Sequence, residues 1–371
     1  MYDEKNSSTN ATIQCRFNVA LFLRYSGTLV IILGCIGNIL SIVVFSRKAL
    51  RSRSCSIYFL ALSMSDINVL IGYTFENLLY HGYNIQVLSN SFMCKSIIFL
   101  IYASTDISNY LLTLAAMDRC ILISNSTIRY RFCRKLTAKL MIICVIILFS
   151  LINSHFLFGF HIDNDGFCLP ASKNYNFFYV NHYDSYIDII KTVLIPFIII
   201  FICNIFIIFK YTRRNTLISS TSIRRKNRRR REKDRQLTWF LLSTSLLFIF
   251  LSLPSEINDF VRTHLSQKFQ TIYACQLWAS TTLFILIHQI NHASHFYVYT
   301  LTGPIFRKEF QKLICLFQKQ TSKRNLFHSL KKQSLTIHYT QHNDIDDRRL
   351  SSPFQQTNLN SLERLSFQLD V

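Results

Sequence analysis

Residues 114–124 read LAAMDRCILIS, with an acid and an arginine, Asp118 and Arg119, side by side at one end of a long apolar run. Charges are costly beside hydrocarbon, so such a pair is kept by a partner or by a task. Around it, the 371-residue chain is half apolar and 14% aromatic, and the apolar residues come in blocks divided by short basic segments. A membrane-crossing helix needs about 20 largely apolar residues. Seven stretches qualify, at roughly 20–46, 56–80, 92–124, 136–160, 184–210, 236–260 and 271–302. Only helices or closed barrels satisfy the backbone in lipid, and these runs lack the strict alternation of barrel strands. The sequence therefore predicts an all-α membrane protein, a seven-transmembrane helix bundle. Single polar residues inside several runs suit a bundle with an internal polar face.

The net charge of +21 would suggest nucleic-acid binding, but its distribution argues against that. Three alternate loops hold 4 (47–55), 5 (129–139) and 12 (210–235) basic residues, against five in the opposite segments: Lys5, Arg16, Lys173, Arg262 and Lys268. By the positive-inside rule the N-terminus is expected outside and the tail in the cytosol. The run RRKNRRRREKDR (224–235) then reads as an orientation determinant facing anionic lipid or a partner, not as an RNA-binding arm. Two sequons, at Asn6 and Asn10, fall in the polar segment 1–19, where glycosylation is expected. A third, at Asn125, is expected on the cytosolic side and unused. No cleavable signal peptide is apparent, and the first apolar run reads as its own signal anchor.

The eleven cysteines divide by location. Cys94, at the outer start of the third run, and Cys168, in the second outer segment, lie in oxidising territory where a bridge can form. Cys15 and Cys275 also lie outside and could form a second. Cys35, Cys144 and Cys203 read as packing residues. After the seventh run, GPIFRKEFQKLICLF (303–317) alternates basic and apolar residues at helical spacing, which predicts an amphipathic helix on the inner membrane surface, with Cys315 a candidate for palmitoylation. From 318 to 371 the composition is polar and aperiodic, as in a disordered tail, and Ser334 and Ser351 follow basic pairs in the manner of kinase sites.

Taken in order, these landmarks resemble the rhodopsin-like (class A) G-protein-coupled receptors. Asn38 in CIGNIL matches the asparagine of the first helix, and Asp66 in LALSMSD the aspartate of the second. Arg119 follows Cys94 by 25 residues, the family's spacing. Pro196 and Pro254 match the prolines of helices 5 and 6, and HFYVYTLTGPIFRKEF (295–310) resembles the exit of helix 7, with Tyr299 its terminal tyrosine. The resemblance covers about 18–317. It departs where Cys120 replaces the aromatic after Asp118-Arg119, where helix 4 lacks tryptophan, at Ser252, and where His295-Phe296 replaces Asn-Pro. It is nearest to the invertebrate neuropeptide receptors of FMRFamide type, many of which carry Asn-Phe there.

The resemblance implies a multi-pass receptor of the plasma membrane that couples ligand binding to a heterotrimeric G protein, with arrestin and kinases as further partners at the tail. Arg119 cannot be neutralised in a membrane and needs acceptors. Asp118 is one expectation, and Asp234, 20 residues before Pro254, another. Releasing helix 6 from that contact would open a basic-rimmed cavity, a two-state switch. Asp66, Ser108 and Asn291 fall at mid-membrane depth, where the family clusters such residues around a sodium ion. No other cofactor is implied, and a buried carboxylate lacking an ion would instead take a proton.

On the outer side, Ile101 stands where amine receptors carry aspartate, and Gln289 where opsins carry their retinal lysine. What the outer half offers is acid, namely Glu76, Asp106, Glu256 and Asp259, with Tyr102 and Gln289 as neutral contacts. Such a ring favours a cationic ligand, and an arginine fork especially, so a short basic or amidated peptide is expected. A chemosensory receptor is the alternative within the family. The rival from another class rests on His288, His292 and His295, which share one helix face and could bind zinc in a seven-helix membrane hydrolase. That reading requires the opposite topology. A channel or transporter fits less well, because no inverted repeat is evident.

Overall fold

The computed structural model describes residues 2–51, 53–124, 129–216, 224–265, 269, 273–303, 306–316, 318–319 and 321–322. The side chains of 2–13, 129, 211–216 and 224–241 fall outside that description. The sequons at Asn6, Asn10 and Asn125, the Asp234 side chain and the tail beyond 322 therefore lie outside it. The chain divides into Met1–Gln311 and Lys312–Val371.

Among the described residues the first unit is a bundle of seven long helices: α1 (Tyr2–Phe45), α2 (Ser54–Gly82), α3 (Ser91–Ile123), α4 (Lys135–Gly159), α5 (Lys173–Lys210), α6 (Arg224–His264) and α7 (Ala274–Thr302). Parts of α1 to α6 are long and apolar enough to cross a membrane. The 29-residue α7 is more polar because it buries His288, Gln289, Asn291, His292 and His295 against its neighbours. The polarity of the whole bundle is inverted: Ile36 and Ile39 of α1, Ile143 and Ile147 of α4, and Ile198 and Ile202 of α5 are exposed. Asn38, Asp66, Asp106, Arg119 and Lys191 are buried. That is the pattern of a lipid-facing exterior around a polar interior.

Two disulfides, Cys94–Cys168 and Cys15–Cys275, lie at one end of the bundle, termed the outer end after the orientation expected from the loop charges, and the basic loops lie toward the other, termed the inner end. Cys94 ties the start of α3 to a hairpin of β1 (Phe160–Ile162) and β2 (Cys168–Pro170), paired antiparallel with Ile162 opposite Cys168. Around the bridge, Tyr102, Phe156, Phe160, Tyr179 and Tyr183 pack as an aromatic plug, with the Tyr102 and Phe156 rings 4.3 Å apart. The Asn90 side chain caps α3 by accepting from Met93 N at 2.8 Å, and Ser172 caps α5 by accepting from Tyr175 N at 3.1 Å.

Helix α5 thus begins at Lys173, eleven residues before the start expected from the apolar run. Its first turns, KNYNFFYVNHY, are polar and aromatic, and they are held by the plug rather than by lipid. Helix α2 passes through π-helical turns at Leu70–Thr74 and Leu78–Gly82, and α5 at Tyr179–Ile187 and Ile189–Leu194. Each such turn inserts a residue and rotates the side chains that follow, a device frequent at functional sites. Helices α1 and α7 approach closely at Gly34, where an added Cβ would lie 2.6 Å from Leu70 Cδ1 and 2.9 Å from Ala293 Cβ. At the inner end Phe45, Phe59, Tyr299 and Phe306 form a second aromatic cluster, and Arg47 pairs with Glu309 at 3.0 Å. Residues 306–316 are helical, and Cys315 is exposed.

Candidate functional site

The polar interior falls into three layers. At the inner end of α3, Asp118 and Arg119 are each only 5% exposed. The Asp118 carboxylate makes no hydrogen bond of regular geometry among the described residues, and its nearest polar groups are Arg119, Ser54 and Cys133. The expected Asp118–Arg119 contact is therefore electrostatic, not hydrogen-bonded. Tyr299 is buried within the inner aromatic cluster.

At mid-depth Asp66 is fully buried, and both carboxylate oxygens are occupied. Oδ1 accepts from Ser108 Oγ at 2.5 Å and from His292 Nδ1 at 2.8 Å, and Oδ2 accepts from His295 Nδ1 at 2.7 Å. A carboxylate only accepts, so both imidazoles present Nδ1–H to it. Asn291, expected beside Asp66, is not among the hydrogen-bond donors to it, and its Oδ1 has no hydrogen-bond partner among the described residues. The next residue, His292, takes that place. Asn38 closes the layer by donating Nδ2 to the carbonyls of Gly34 and His292, each at 3.0 Å.

The resemblance implies a sodium ion at this layer. A hard cation takes oxygen ligands. Here three donors already use three of the roughly four lone-pair sites on Asp66, and two of them are imidazole N–H groups. The residues present do not fit the ion.

In the outer layer, a cavity of about 90 Å³ is lined by Tyr73, Ile101, Tyr102, Thr105, Asp184, Asp188, Thr192, Ser255, Glu256, Asp259 and His288. Of the expected contacts, Tyr102, Glu256 and Asp259 face it. Glu76 does not line it, though it lies within the field around Tyr73 together with Asp184, Glu256 and Asp259. Gln289 is buried, accepting from Thr74 Oγ1 at 3.0 Å, and is not a lining residue.

Asp106 is a correction. It is 0% exposed and turned away from the cavity into a network joining α3, α4 and α5. Its Oδ2 accepts from Lys191 Nζ at 2.7 Å and Asn153 Nδ2 at 2.8 Å, and its Oδ1 from Thr192 Oγ1 at 2.6 Å. Tyr183 donates to Asn153 Oδ1 at 2.6 Å, and its ring centroid lies 5.3 Å from Lys191 Nζ. A buried carboxylate is tolerable when it is paired and hydrogen-bonded in this way.

Asp184, Asp188 and Lys191 were missed in the sequence, although three charges at that spacing inside an apolar stretch are a signal that can be read. Lys191 also holds Asp188 Oδ1 at 2.5 Å, and Arg262 Nη2 stands 3.7 Å from Asp259 Oδ1. Asp184 accepts from Tyr102 Oη at 2.9 Å. Arg262 and Lys191 act on Asp184 and Glu256 only at longer range, and no ion pair at contact distance is formed by either acid among the described residues, so the cavity carries an excess of acid.

Residues 37–292 match the family described as 7 transmembrane receptor (rhodopsin family). The chain belongs to that family and is a G-protein-coupled receptor. It is similar to the somatostatin receptor type 1 of Rattus norvegicus, with 21% identity over 327 residues that cover 84% of this chain and 76% of that receptor. The family is one of receptors, not enzymes, and the zinc-hydrolase alternative finds no support. Among the described residues no group of three His, Cys, Asp or Glu side chains is placed to hold a metal ion.

Proposed function

We propose that this receptor sits in the plasma membrane with its N-terminus outside and recognises the cationic end of a short peptide in the outer cavity. The observation that carries this reading is the excess of acid on the cavity wall: Asp184, Asp188, Glu256 and Asp259 face it, and among the described residues Asp184 and Glu256 have no cation at ion-pair distance. A buried anion without a partner is costly, and a guanidinium fork or ammonium supplies both charge and donors. The similarity to a somatostatin receptor supports a peptide over an amine, and the FMRFamide type stands within the same proposal. Arg119 is proposed as the inner contact for the G protein.

The test is a screen of basic and amidated peptides against charge-neutral analogues, in cells expressing the chain with a promiscuous G protein. Cationic peptides are expected among the agonists, and Glu256→Gln should weaken them by about 10–100-fold, the equivalent of one charge-assisted hydrogen bond of roughly 1.5–3 kcal/mol. Equal potency of an arginine peptide and its citrulline analogue would reject the reading.

The mid-depth layer leads to a second expectation. With imidazoles on both oxygens of Asp66, replacing sodium by N-methylglucamine in the assay buffer should change neither agonist affinity nor basal nucleotide exchange. A sodium-dependent drop in agonist affinity would show that the ion displaces the histidines.

A further inference from the structure

The basic loops at the inner end form more than a diffuse positive surface. Lys48 and Arg51, on a short helical turn between α1 and α2, face Lys135 and Lys139 on the first turns of α4 across a groove of about 610 Å³. That volume falls in the range of small-molecule sites, roughly 300–1,000 Å³. Ile57 and Leu136 complete the lining, and no acid contributes to it. None of the four cations has an acidic partner among the described residues, and all four are exposed. The turn that carries two of them is fixed: Leu50 is buried beneath it, Arg51 N donates to Arg47 O at 2.9 Å, and Arg47 is clamped to Glu309. Lys135 and Lys139 also stand at the helix end where the macrodipole disfavours cations. Orientation in the membrane requires basic residues in these loops, but it does not require them to converge on one concavity.

Both walls of the groove run on into apolar stripes. On α4, Leu136 is followed at helical spacing by Leu140, Ile143 and Ile147, all exposed. On α2, Ile57 is followed by Met64 and Ile71, also exposed. A cationic pocket opening onto two lipid-facing stripes matches an amphiphile with a multiply charged anionic head, and not a free anion or a protein surface. We propose that this groove binds a polyanionic phospholipid of the inner leaflet, with the phosphates of its headgroup on Lys48, Arg51, Lys135 and Lys139 and its acyl chains along α2 and α4. Basic pockets between helices on the cytoplasmic side recognise such headgroups. The assignment of the leaflet rests on the topology proposed above; binding itself does not.

The test uses the full chain in nanodiscs of phosphatidylcholine carrying a few per cent phosphatidylinositol bisphosphate, with bound lipid counted by native mass spectrometry. Nanodiscs offer the lipid to both faces, so the result is independent of orientation in cells. Lys135→Gln/Lys139→Gln and Lys48→Gln/Arg51→Gln should each lower lipid affinity about 30-fold. Lys135→Arg/Lys139→Arg should retain it, and this variant guards against misfolding. Arg228→Gln/Arg229→Gln, an equal charge loss elsewhere, should have no effect. An equal fall in all the charge-removing pairs would reduce the effect to general attraction and overturn the proposal. It would equally be overturned if soluble inositol trisphosphate competed at the lipid's own affinity, or if an acidic cytosolic protein occupied the groove in lipid-free detergent.

Discussion

Arg119→Ala is expected to abolish agonist-stimulated nucleotide exchange while leaving agonist binding within a few-fold of the native receptor. The guanidinium is 5% exposed at the inner end of α3, far from the acid-lined cavity and separated from it by the Asp66 layer. A side chain that stays charged at any accessible pH needs acceptors where it is buried, and on the function proposed above the G protein supplies them in the signalling state. Two or more charge-assisted hydrogen bonds at roughly 1.5–3 kcal/mol each put the loss of exchange at more than about 100-fold. Arg119→Lys, which keeps the charge but not the planar fork, should fall between the two. Radioligand binding and nucleotide exchange on the same membranes separate the effects. Full exchange in the alanine variant would remove Arg119 from the coupling surface.

Lys191→Met should be the most destabilising single change in the outer half. Its ammonium is the cation shared by Asp106 and Asp188, at 2.7 and 2.5 Å. Removing it leaves the Asp106 carboxylate fully buried with only neutral donors, Asn153 and Thr192. Breaking a buried pair from one side costs about 3–5 kcal/mol, whereas replacing both partners by neutral groups is often close to neutral. Lys191→Met alone should therefore lose surface expression and melt well below the native receptor, and Asp106→Asn/Lys191→Met should recover most of both. Asp188 contributes less to the loss because it borders the cavity and can hydrate. Equal melting of the single and double variants would show that the network does not act as a unit. The comparison also separates a stability role for Asp106 from the ligand contact expected from sequence.

The seven helices were legible because hydrocarbon thickness imposes a length and a polarity that survive any sequence divergence. The charge asymmetry of the loops was legible for the same reason. What could not be read was where each side chain points. Asn291 and His292 are adjacent on α7, about 100° apart around the helix axis. Only the packing of α7 against α2 and α3 decides that the histidine meets Asp66. Asp106 lay on the expected helix, but its partners come from α4 and α5, and no spacing within α3 reveals them. The start of α5 was obscured because its first turns are polar and aromatic, and an apolar count cannot detect a helix held by ring packing. Asp184 and Asp188 lay inside the expected run 184–210, but the π-turns at Tyr179–Ile187 and Ile189–Leu194 set their facing, which spacing does not reveal. Glu256 and Asp259 do line the cavity, and the α6 segment after Pro254 that carries them is regular, so spacing sufficed to read their facing.

The bridge between Cys15 and Cys275 fastens the first helix of the bundle to the last, and deeper down Gly34 and Asn38 hold the same two helices together. With the second bridge anchoring α3 to the hairpin ahead of α5, the outer rim behaves as a cinched hoop. Spreading α1 from α7, or α3 from the hairpin, at that rim would require breaking a covalent bond, whereas no disulfide among the described residues laces the opposite end where the basic loops lie.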